Sequence, residues 1–376
     1  MFKKLNSKDL LNILSSDSQS RLVVLTQSWP MLNVDDVKTL KFNNKTFFSL
    51  VSRVERDGYL KKLNLSFLSK IKINSASVAY KNGKSYLDFF SPHVENYNFL
   101  RLDLKSFFHS ISYEIIKETF ESYFLDEYFV DNGKEKGKEK IIDVFLNLVM
   151  LNVPSSYGDS FISGRRILPM GFSTSPLISN IVFRRFDIVI HEFCEKHNIK
   201  YSRYADDMLF SSNISDKTLF SNRFHEEIKY ILNRGGFKLN NAKTIQSKGV
   251  LSVNGYVIDS YLERKGLRLS SSKLKNINKI IHALKKGWSY EIILKKYAKK
   301  DFDKTNYYNK GISKYRSEYE KSQILNLLVG YRSYLISFHE FDRKDRSIDN
   351  DFLVVSGKII KSIEKAINKI YKDRKL

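Results

Sequence analysis

Two adjacent aspartates interrupt an otherwise aromatic and apolar stretch, Tyr201 to Ser212 (YSRYADDMLFSS). The pattern predicts a hairpin in which residues 201–204 and 208–211 are strands and the Ala-Asp-Asp step is the tight turn. Asp206 and Asp207 then lie at the turn, where two carboxylates repel each other unless a cation neutralises them. Mg²⁺ takes such oxygen ligands together with substrate phosphates. The pair by itself is also compatible with an ordinary solvated turn.

A third carboxylate lies well before this pair, in the segment Phe99 to Ser112 (FLRLDLKSFFHSIS). Leucines alternate there with polar residues, one of which is Asp103, and this period is typical of a strand. Together with Asp206 and Asp207, Asp103 completes the set that two-metal nucleotidyl transfer requires, with the cations ~3.5–4 Å apart. Such a site needs no serine or histidine nucleophile, because metals and positioning do most of the work.

Four segments in order, over roughly residues 80–260, resemble the palm of reverse transcriptases. They are DLKSFFHSI (103–111), LPMGFSTSPLISN (168–180), YADD (204–207) and GFKLNNAKT (236–244). The chain is similar to bacterial retron and phage-defence enzymes of this family rather than to viral ones. The resemblance implies an α+β right-hand polymerase fold with fingers, a palm whose antiparallel sheet is backed by helices, and a helical thumb. We assign residues 1–95 to the fingers, 96–262 to the palm (113–170 partly fingers), and 263–376 to the thumb and C-terminal helix.

The same resemblance implies roles for individual residues. Asp103, Asp206 and Asp207 are the expected catalytic metal ligands for two Mg²⁺ ions, with Mn²⁺ as the alternative ion. Lys243 is the expected group that neutralises or protonates the leaving pyrophosphate, although a lone lysine is usually only a solvated surface charge. Phe108 occupies the position of a steric gate against ribonucleotides.

Two further sets of residues are predicted to bind the nucleotide and the nucleic acid. The expected nucleotide-binding residues are Leu104, Phe107, Phe108, Met170, Gly171 and Arg165. The expected nucleic-acid-binding residues are Tyr204, Ser173, Lys273, Lys275, Lys279, Lys285 and Lys286. Phe107 and Phe108 could instead both be core residues; alternation at a strand end predicts one buried ring and one exposed ring.

Several positions depart from the family pattern. Met170 stands where relatives usually carry Gln, and no proline occurs between Pro30 and Pro92 to complete the usual fingers segment. Because that proline is absent, the fingers motif with its extended strand pair is expected to be degraded or missing. The stretches 34–40 and 47–54 are predicted as helices. The retron signatures before the first catalytic motif and at 253–255 are also only partial.

Charge and composition indicate the kind of partner. The chain of 376 residues carries a net charge of +23, which favours a polyanion such as nucleic acid. A membrane is not expected, because no run of ~18 or more apolar residues occurs. The single cysteine, Cys194, excludes an intramolecular disulfide framework. The N-terminal segment lacks the pattern of a signal peptide, so a cytoplasmic location is expected.

The leading hypothesis is an RNA-directed DNA polymerase of a bacterial anti-phage system. Its expected partners are dNTPs, an RNA template or dedicated non-coding RNA, the cDNA product, and a defence protein or second subunit. The C-terminal helix is expected to pack on the thumb or on another protomer. The alternatives are a defence polymerase with protein-primed or non-templated synthesis, a polymerase that makes RNA, and a non-catalytic RNA-binding protein of maturase type.

Overall fold

The computed structural model describes residues 3–15, 29–42, 45–51, 55–129, 139–261, 266–298 and 316–372. Two compact units divide the chain. The first comprises residues 1–89, 100–210 and 216–246, and the second comprises 90–99, 211–215 and 247–376.

The elements up to the first catalytic segment are short. They are α1 (Ser7–Leu14), β1 (Leu32–Asn33), β2 (Val37–Phe42), β3 (Lys45–Leu50), α2 (Glu55–Ser66), α3 (Leu87–Phe90) and β4 (Asn98–Asp103). Helices and strands then alternate as α4 (Phe107–Ser110), α5 (Tyr113–Glu121), α6 (Ile141–Val149), β5 (Leu151–Asn152), β6 (Arg166–Ile167), α7 (Ser175–Lys196), β7 (Lys200–Tyr204), β8 (Asp207–Ser212), α8 (Asn222–Asn233) and β9 (Ile245–Lys248). A four-stranded sheet in the order β7-β8-β4-β9 carries the acidic segments.

The region before residue 55 differs from its prediction. β2 and β3 form an antiparallel hairpin in which Val37 pairs with Leu50 and Phe42 with Lys45. The helix expected over 34–40 is reduced to one 3-10 turn, Val34–Asp36, which is followed by β2. The helix expected over 47–50 is wrong, because these residues belong to β3, and a strand pair is therefore present. Residues 52–54, at the end of the second predicted helix, lie outside the described residues. β-branched and aromatic residues such as Thr39, Phe47 and Phe48 suit a pleated strand. The strand pair therefore forms without the proline that the family motif carries.

The core of the first unit is one apolar cluster that joins α1, α2, α5, α6 and α7. Phe67, Phe120 and Phe145 lie at its centre, with ring centroids 4.8 Å apart for the last two. α7 is a helix of 22 residues with Pro176 in its first turn, where proline costs no hydrogen bond. Its buried face supports the strands that carry the aspartates, so the fold places an apolar layer behind the acidic edge.

The second unit holds the remaining elements. They are β10 (Val250–Val253), β11 (Tyr256–Asp259), β12 (Gly266–Leu269), α9 (Ser271–Lys285), α10 (Tyr290–Tyr297), α11 (Arg316–Asp345) and α12 (Asn350–Lys372). The three strands form an antiparallel sheet in chain order, with Asn254-Gly255 as the turn between the first two. α12 packs against α9 and α11, and Ile359, Ile363 and Ile370 are buried on it. The C-terminal helix therefore packs on helices of its own chain, which is one of the two arrangements expected for it.

Candidate active site

The predicted hairpin is confirmed: β7 and β8 are neighbours in the sheet and are joined at Ala205-Asp206. Ala205 adopts a left-handed conformation, with φ of +56°. Asp207 is the first residue of β8 rather than a turn residue. The two carboxylates consequently have different surroundings, which the sequence alone did not indicate.

A buried ion pair between Arg203 and Asp187 holds the turn in position. The guanidinium of Arg203 donates to both oxygens of Asp187 on α7, at 2.8 and 2.7 Å, and both side chains are fully buried. A third donor of Arg203 bonds the carbonyl oxygen of Ala205 at 2.9 Å, and the hydroxyl of Tyr201 donates to Asp187 at 2.8 Å. Such a pair is tolerated inside a protein only when its hydrogen bonds are satisfied. Arg203 and Asp187 thus position the acidic turn.

Asp103 lies at the end of β4, beside this turn. The backbone N–H of Leu104 donates to the carbonyl oxygen of Asp206 at 2.9 Å, which ties the two acidic segments together. The carboxylate of Asp103 accepts hydrogen bonds from Asn240 at 3.2 Å and from Nζ of Lys243 at 3.0 Å. Asp103 is 2% exposed. The structure therefore brings Asp103, Asp206 and Lys243 to one place, although they are far apart in sequence.

Arg101 is a site residue that the sequence analysis did not assign. Its guanidinium forms an ion pair with Asp207 and lies 3.6 Å from Oδ2 of Asp103. It also donates to the carbonyl oxygen of Lys243 at 3.2 Å. Positions 101 and 103 lie on the same face of β4 because strand side chains alternate, so the two-residue spacing was the available signal.

Burial raises the pKa of the Asp207 carboxyl above its usual range. Arg101 opposes this shift, while the charges of Asp206 and Asp103 add to it. The three carboxylates thus repel one another, and Arg101 and Lys243 provide the compensating positive charge. Among the described residues, no group of three or more His, Cys, Asp or Glu side chains is arranged as a metal site. The donors nevertheless suit Mg²⁺ or Mn²⁺ in kind, since both ions prefer carboxylate oxygens.

A cavity of about 1210 Å³ opens beside these groups. Of the predicted residues, it is lined by Asp103, Leu104, Phe107, Phe108, Met170, Gly171, Asp206 and Lys243. Asp207, Tyr204, Ser173 and Arg165 do not line it. The carboxylate pair is therefore divided: Asp206 faces the cavity, which we call the catalytic cavity, while Asp207 is held by Arg101.

Both phenylalanines of the first motif are buried, so the expectation that one of them is exposed is wrong. Phe107 is 3% and Phe108 9% exposed, because α4 rather than a continuing strand follows Asp103. The ring of Phe107 packs on Phe183 and Phe237, with centroids 5.6 and 5.9 Å away. Phe108 packs only on Phe107 among the ring contacts described. Phe108 is thus the less enclosed of two rings that both line the catalytic cavity.

Gly171 brings the β2–β3 hairpin to this cavity. Its φ is +112°, and a Cβ there would lie 2.5 Å from the carbonyl oxygen of Phe48. The N–H of Phe48 donates to the carbonyl oxygen of Met170 at 2.7 Å. Only glycine permits this backbone approach. Lys45, Thr46 and Phe47 of the hairpin therefore line the catalytic cavity together with Asp103 and Asp206.

Tyr80 is a second residue that the sequence analysis did not assign. It lines the catalytic cavity, and burial together with the charge of Asp206 raises the pKa of its hydroxyl to about 12. Its ring lies 6.4 Å from that of Tyr204, which contacts Tyr86 at 4.6 Å. Tyr204 is thus part of an aromatic cluster beside the turn. The signal available was its place in a segment that resembles the retron pattern.

The predicted nucleic-acid lysines lie on α9 of the second unit. Lys275, Lys279, Lys285 and Lys286 are exposed. Lys273 instead bonds the carbonyl oxygen of Asn254 at 2.8 Å and lies 5.5 Å from the ring centroid of Tyr256. Its side chain is engaged within the unit. The backbone carbonyl oxygen of Ser173 accepts a hydrogen bond from Asn64 at 2.7 Å, while its hydroxyl is buried without a hydrogen-bond partner among the described residues.

A model of the family "reverse transcriptase (RNA-dependent DNA polymerase)" matches residues 59–284. The chain belongs to the reverse transcriptase family. Its fold is the α+β right-hand polymerase fold of that family. Among the curated proteins, it is similar to the retron Ec83 reverse transcriptase of Escherichia coli, with 30% identity over 223 residues, 55% of this chain and 66% of that protein.

The retron Ec86 reverse transcriptase of Escherichia coli is 25% identical over 229 residues, which are 60% of this chain and 62% of that protein. The matched part thus spans just under two thirds of the length of these two relatives. Among solved structures, telomerase from Candida albicans aligns with a TM-score of 0.43 and 11% identity, over 95% of this chain and 64% of that one. None of the helices that the structure describes is long and apolar enough to cross a bilayer.

Proposed function

We propose that this reverse transcriptase synthesises DNA on an RNA template by adding dNTPs to a primer 3′-hydroxyl in the catalytic cavity. The observation that carries the proposal is the convergence of Asp103 and Asp206 on one cavity, tied by the 2.9 Å bond from the Leu104 N–H to the Asp206 carbonyl. The family match and the retron relatives support the choice of an RNA template and a DNA product.

Two divalent cations, Mg²⁺ or Mn²⁺, bound by Asp103, Asp206 and Asp207 would lower the pKa of the 3′-hydroxyl and neutralise the triphosphate. In this structure Arg101 forms an ion pair with Asp207, and Lys243 forms one with Asp103. When divalent cations bind these carboxylates, both side chains must release the oxygens that coordinate the cations. Lys243 is 47% exposed at its side chain, so it is free to turn toward the leaving pyrophosphate and donate a proton or neutralise its charge. Arg101 is confined, and it continues to balance the charge of Asp207.

Phe108 and the β2–β3 hairpin enclose the nucleotide from two sides. The ring of Phe108 lines the cavity close to Asp103 and excludes a 2′-hydroxyl, so dNTPs are preferred. Lys45 on the hairpin provides positive charge for the triphosphate, and Gly171 allows the backbone to approach a base pair. A strand pair is present where it was expected to be degraded or missing, and this favours templated synthesis over the non-templated alternative.

We further propose a role in a bacterial anti-phage system in the cytoplasm, with a dedicated non-coding RNA as template and a defence protein or second subunit as partner. This proposal rests on the similarity to retron reverse transcriptases. The net charge of +23 suits a large RNA partner.

The proposal is tested by purifying the chain from its host with bound nucleic acid and sequencing both RNA and DNA. A discrete RNA with complementary DNA, the DNA absent in Asp206→Asn and retained in the exposed control Asp345→Asn, supports it. DNA without any RNA complement would instead identify a polymerase that works without a template. RNA without DNA in the wild type would favour the maturase-like alternative.

A further inference from the structure

A second cavity, of about 640 Å³, lies beside the catalytic cavity in the first unit. Lys105 and Phe161 line both cavities, so they share a wall. The backbone N–H of Lys105 donates to the carbonyl oxygen of Lys238 at 2.8 Å, which fixes that wall two residues after Asp103. We call this second space the basic cavity.

The basic cavity has an excess of positive charge. Five cationic side chains line it against two acids, Glu114 and Glu118. The cations are Lys105, Arg165, Arg185, Arg234 and Lys238. Arg165, which the sequence analysis placed at the nucleotide, belongs to this cavity and not to the catalytic one. Its guanidinium lies over the ring of Phe161, at 5.4 Å from the centroid, and donates to the carbonyl oxygen of that residue at 3.0 Å.

The acids do not cancel this charge. Glu118 is paired with Arg185 at 2.9 Å, which leaves four cations against Glu114. A hydrogen bond from Ser112 lowers the pKa of the Glu114 carboxyl, with a smaller contribution from Arg165, so Glu114 is ionised and compensates one further charge. In the part of the chain that the structure describes, no acidic side chain forms an ion pair with Lys105, Arg234 or Lys238. Among the described residues, these three cations on one concave surface therefore have no acidic ion-pair partner.

The end of α8 places two of these cations. The helix stops at Asn233, and Gly235-Gly236 turns the chain with φ of +73° at the second glycine. A Cβ at Gly235 would lie 2.3 Å from Cζ of Phe186, so the turn is pressed against α7. Arg234 and Lys238 flank this turn and both are exposed on the rim. A tight turn between two cations presents them to the same ligand.

We propose that the basic cavity binds a polyphosphate anion, either the pyrophosphate released in the catalytic cavity or the phosphate tail of a nucleotide. This inference rests on the proposed function for the origin of the ligand, but the binding itself does not require catalysis. Arginine and lysine bind phosphate oxygens through charge-assisted hydrogen bonds, and several converging donors are required to select a polyphosphate over chloride. Because Lys105 and Phe161 line both cavities, an anion bound in the basic cavity lies next to the catalytic cavity.

The test is calorimetric titration of inorganic pyrophosphate into the full chain in EDTA, so that divalent cations contribute nothing. The double variant Arg234→Gln, Lys238→Gln is expected to bind at least about tenfold more weakly, since each charged hydrogen bond contributes more than one factor of ten at most sites. The matched control is Arg223→Gln, an exposed arginine on α8 that does not line the cavity. Equal affinity in the wild type and the double variant would overturn the proposal.

Kinetic measurements separate the two sources of the ligand. If pyrophosphate is the ligand, the double variant shows weaker product inhibition by pyrophosphate with KM for dNTPs unchanged. If an incoming nucleotide is the ligand, KM for dNTPs rises instead. Both results support a polyphosphate site. A competition experiment provides the contrary outcome. A short oligonucleotide without a terminal phosphate is added to the wild type at a phosphate concentration equal to that of the pyrophosphate. If it displaces the pyrophosphate, the proposed polyphosphate site is overturned and the basic cavity is a nucleic-acid surface.

Asp206→Asn distinguishes this inference from the proposed function. The variant should lose DNA synthesis and still bind pyrophosphate through Arg234 and Lys238. A wild-type chain that binds pyrophosphate but makes no DNA would refute the proposed function alone. A chain that makes DNA but binds pyrophosphate no differently in the double variant would refute the basic cavity alone.

Discussion

The catalytic cavity and the basic cavity share a wall but differ in charge. Three acids and three lysines line the catalytic cavity, whereas five cations and two acids line the basic one. Asp103 and Asp206 of the catalytic cavity are held by long-range contacts, while Arg234 and Lys238 of the basic cavity stand at an exposed helix end. The comparison indicates that a site for cations needs a rigid, buried frame, whereas a site for an anion can be built from surface side chains.

The largest effect on stability should come from the buried ion pair between Asp187 and Arg203, which positions the acidic turn of the catalytic cavity. Asp187→Ala leaves the Arg203 guanidinium buried without its partner, and we expect a loss of about 3–5 kcal/mol in the free energy of unfolding. Urea unfolding measures it. Replacing Arg234 with Gln in the basic cavity should change the stability by less than about 0.5 kcal/mol. Similar losses in the two variants would contradict the proposed difference between the cavities.

A second effect depends on pH. Burial lowers the pKa of His109, which lines the catalytic cavity, to about 4, whereas the pKa in an unfolded chain is about 6.5. Between these values the unfolded chain binds more protons, so the free energy of unfolding decreases as the pH falls from 6.5 to 4, by about 3 kcal/mol in total. Urea unfolding at both ends of this range measures the loss. His109→Gln should flatten this part of the profile, and an unchanged slope would show that His109 is protonated in the folded state.

Phe108→Ala should reduce discrimination against ribonucleotides. Removing the ring opens space beside the sugar, and we expect the ratio of kcat/KM for dNTPs over rNTPs to fall at least about tenfold. The control is Tyr230→Ala, which removes a ring that is 64% exposed on α8. Unchanged discrimination in Phe108→Ala would remove this residue as the gate.

Arg101→Gln should give the smallest change, and in the direction of tighter cation binding. The guanidinium competes for oxygens of Asp103 and Asp207, so its loss should strengthen Mn²⁺ binding about three- to tenfold. Electron paramagnetic resonance of free Mn²⁺ measures this without catalysis, with Arg223→Gln as the control. Weaker binding in Arg101→Gln would mean that the arginine positions the carboxylates instead of competing for them.

The sequence predicted the parts of the site that depend on local pattern. The hairpin around Asp206 and the strand before Asp103 follow from periodicity that a window of ten residues reveals. Arg203 and Arg101 were missed because their partners lie on other elements, Asp187 on a helix and Asp207 across the sheet. The burial of Phe108 was missed because α4 changes the direction of the chain after Asp103. The β2–β3 hairpin was missed because β2 is exposed at every residue except Val37, and its exposed residues include Leu40 and Phe42, so apolar and polar residues do not alternate in the sequence as buried and exposed faces would.

The decisive experiment for the assignment of the catalytic cavity is extension of a DNA primer on a defined RNA template by the purified chain, with dNTPs and Mg²⁺. We expect full-length complementary DNA from the wild type and from Asp345→Asn, and at least about a 100-fold loss of extension rate in Asp206→Asn. The Arg234→Gln, Lys238→Gln variant should still extend the primer. Extension by Asp206→Asn at a rate near that of the wild type would contradict the assignment of the catalytic cavity.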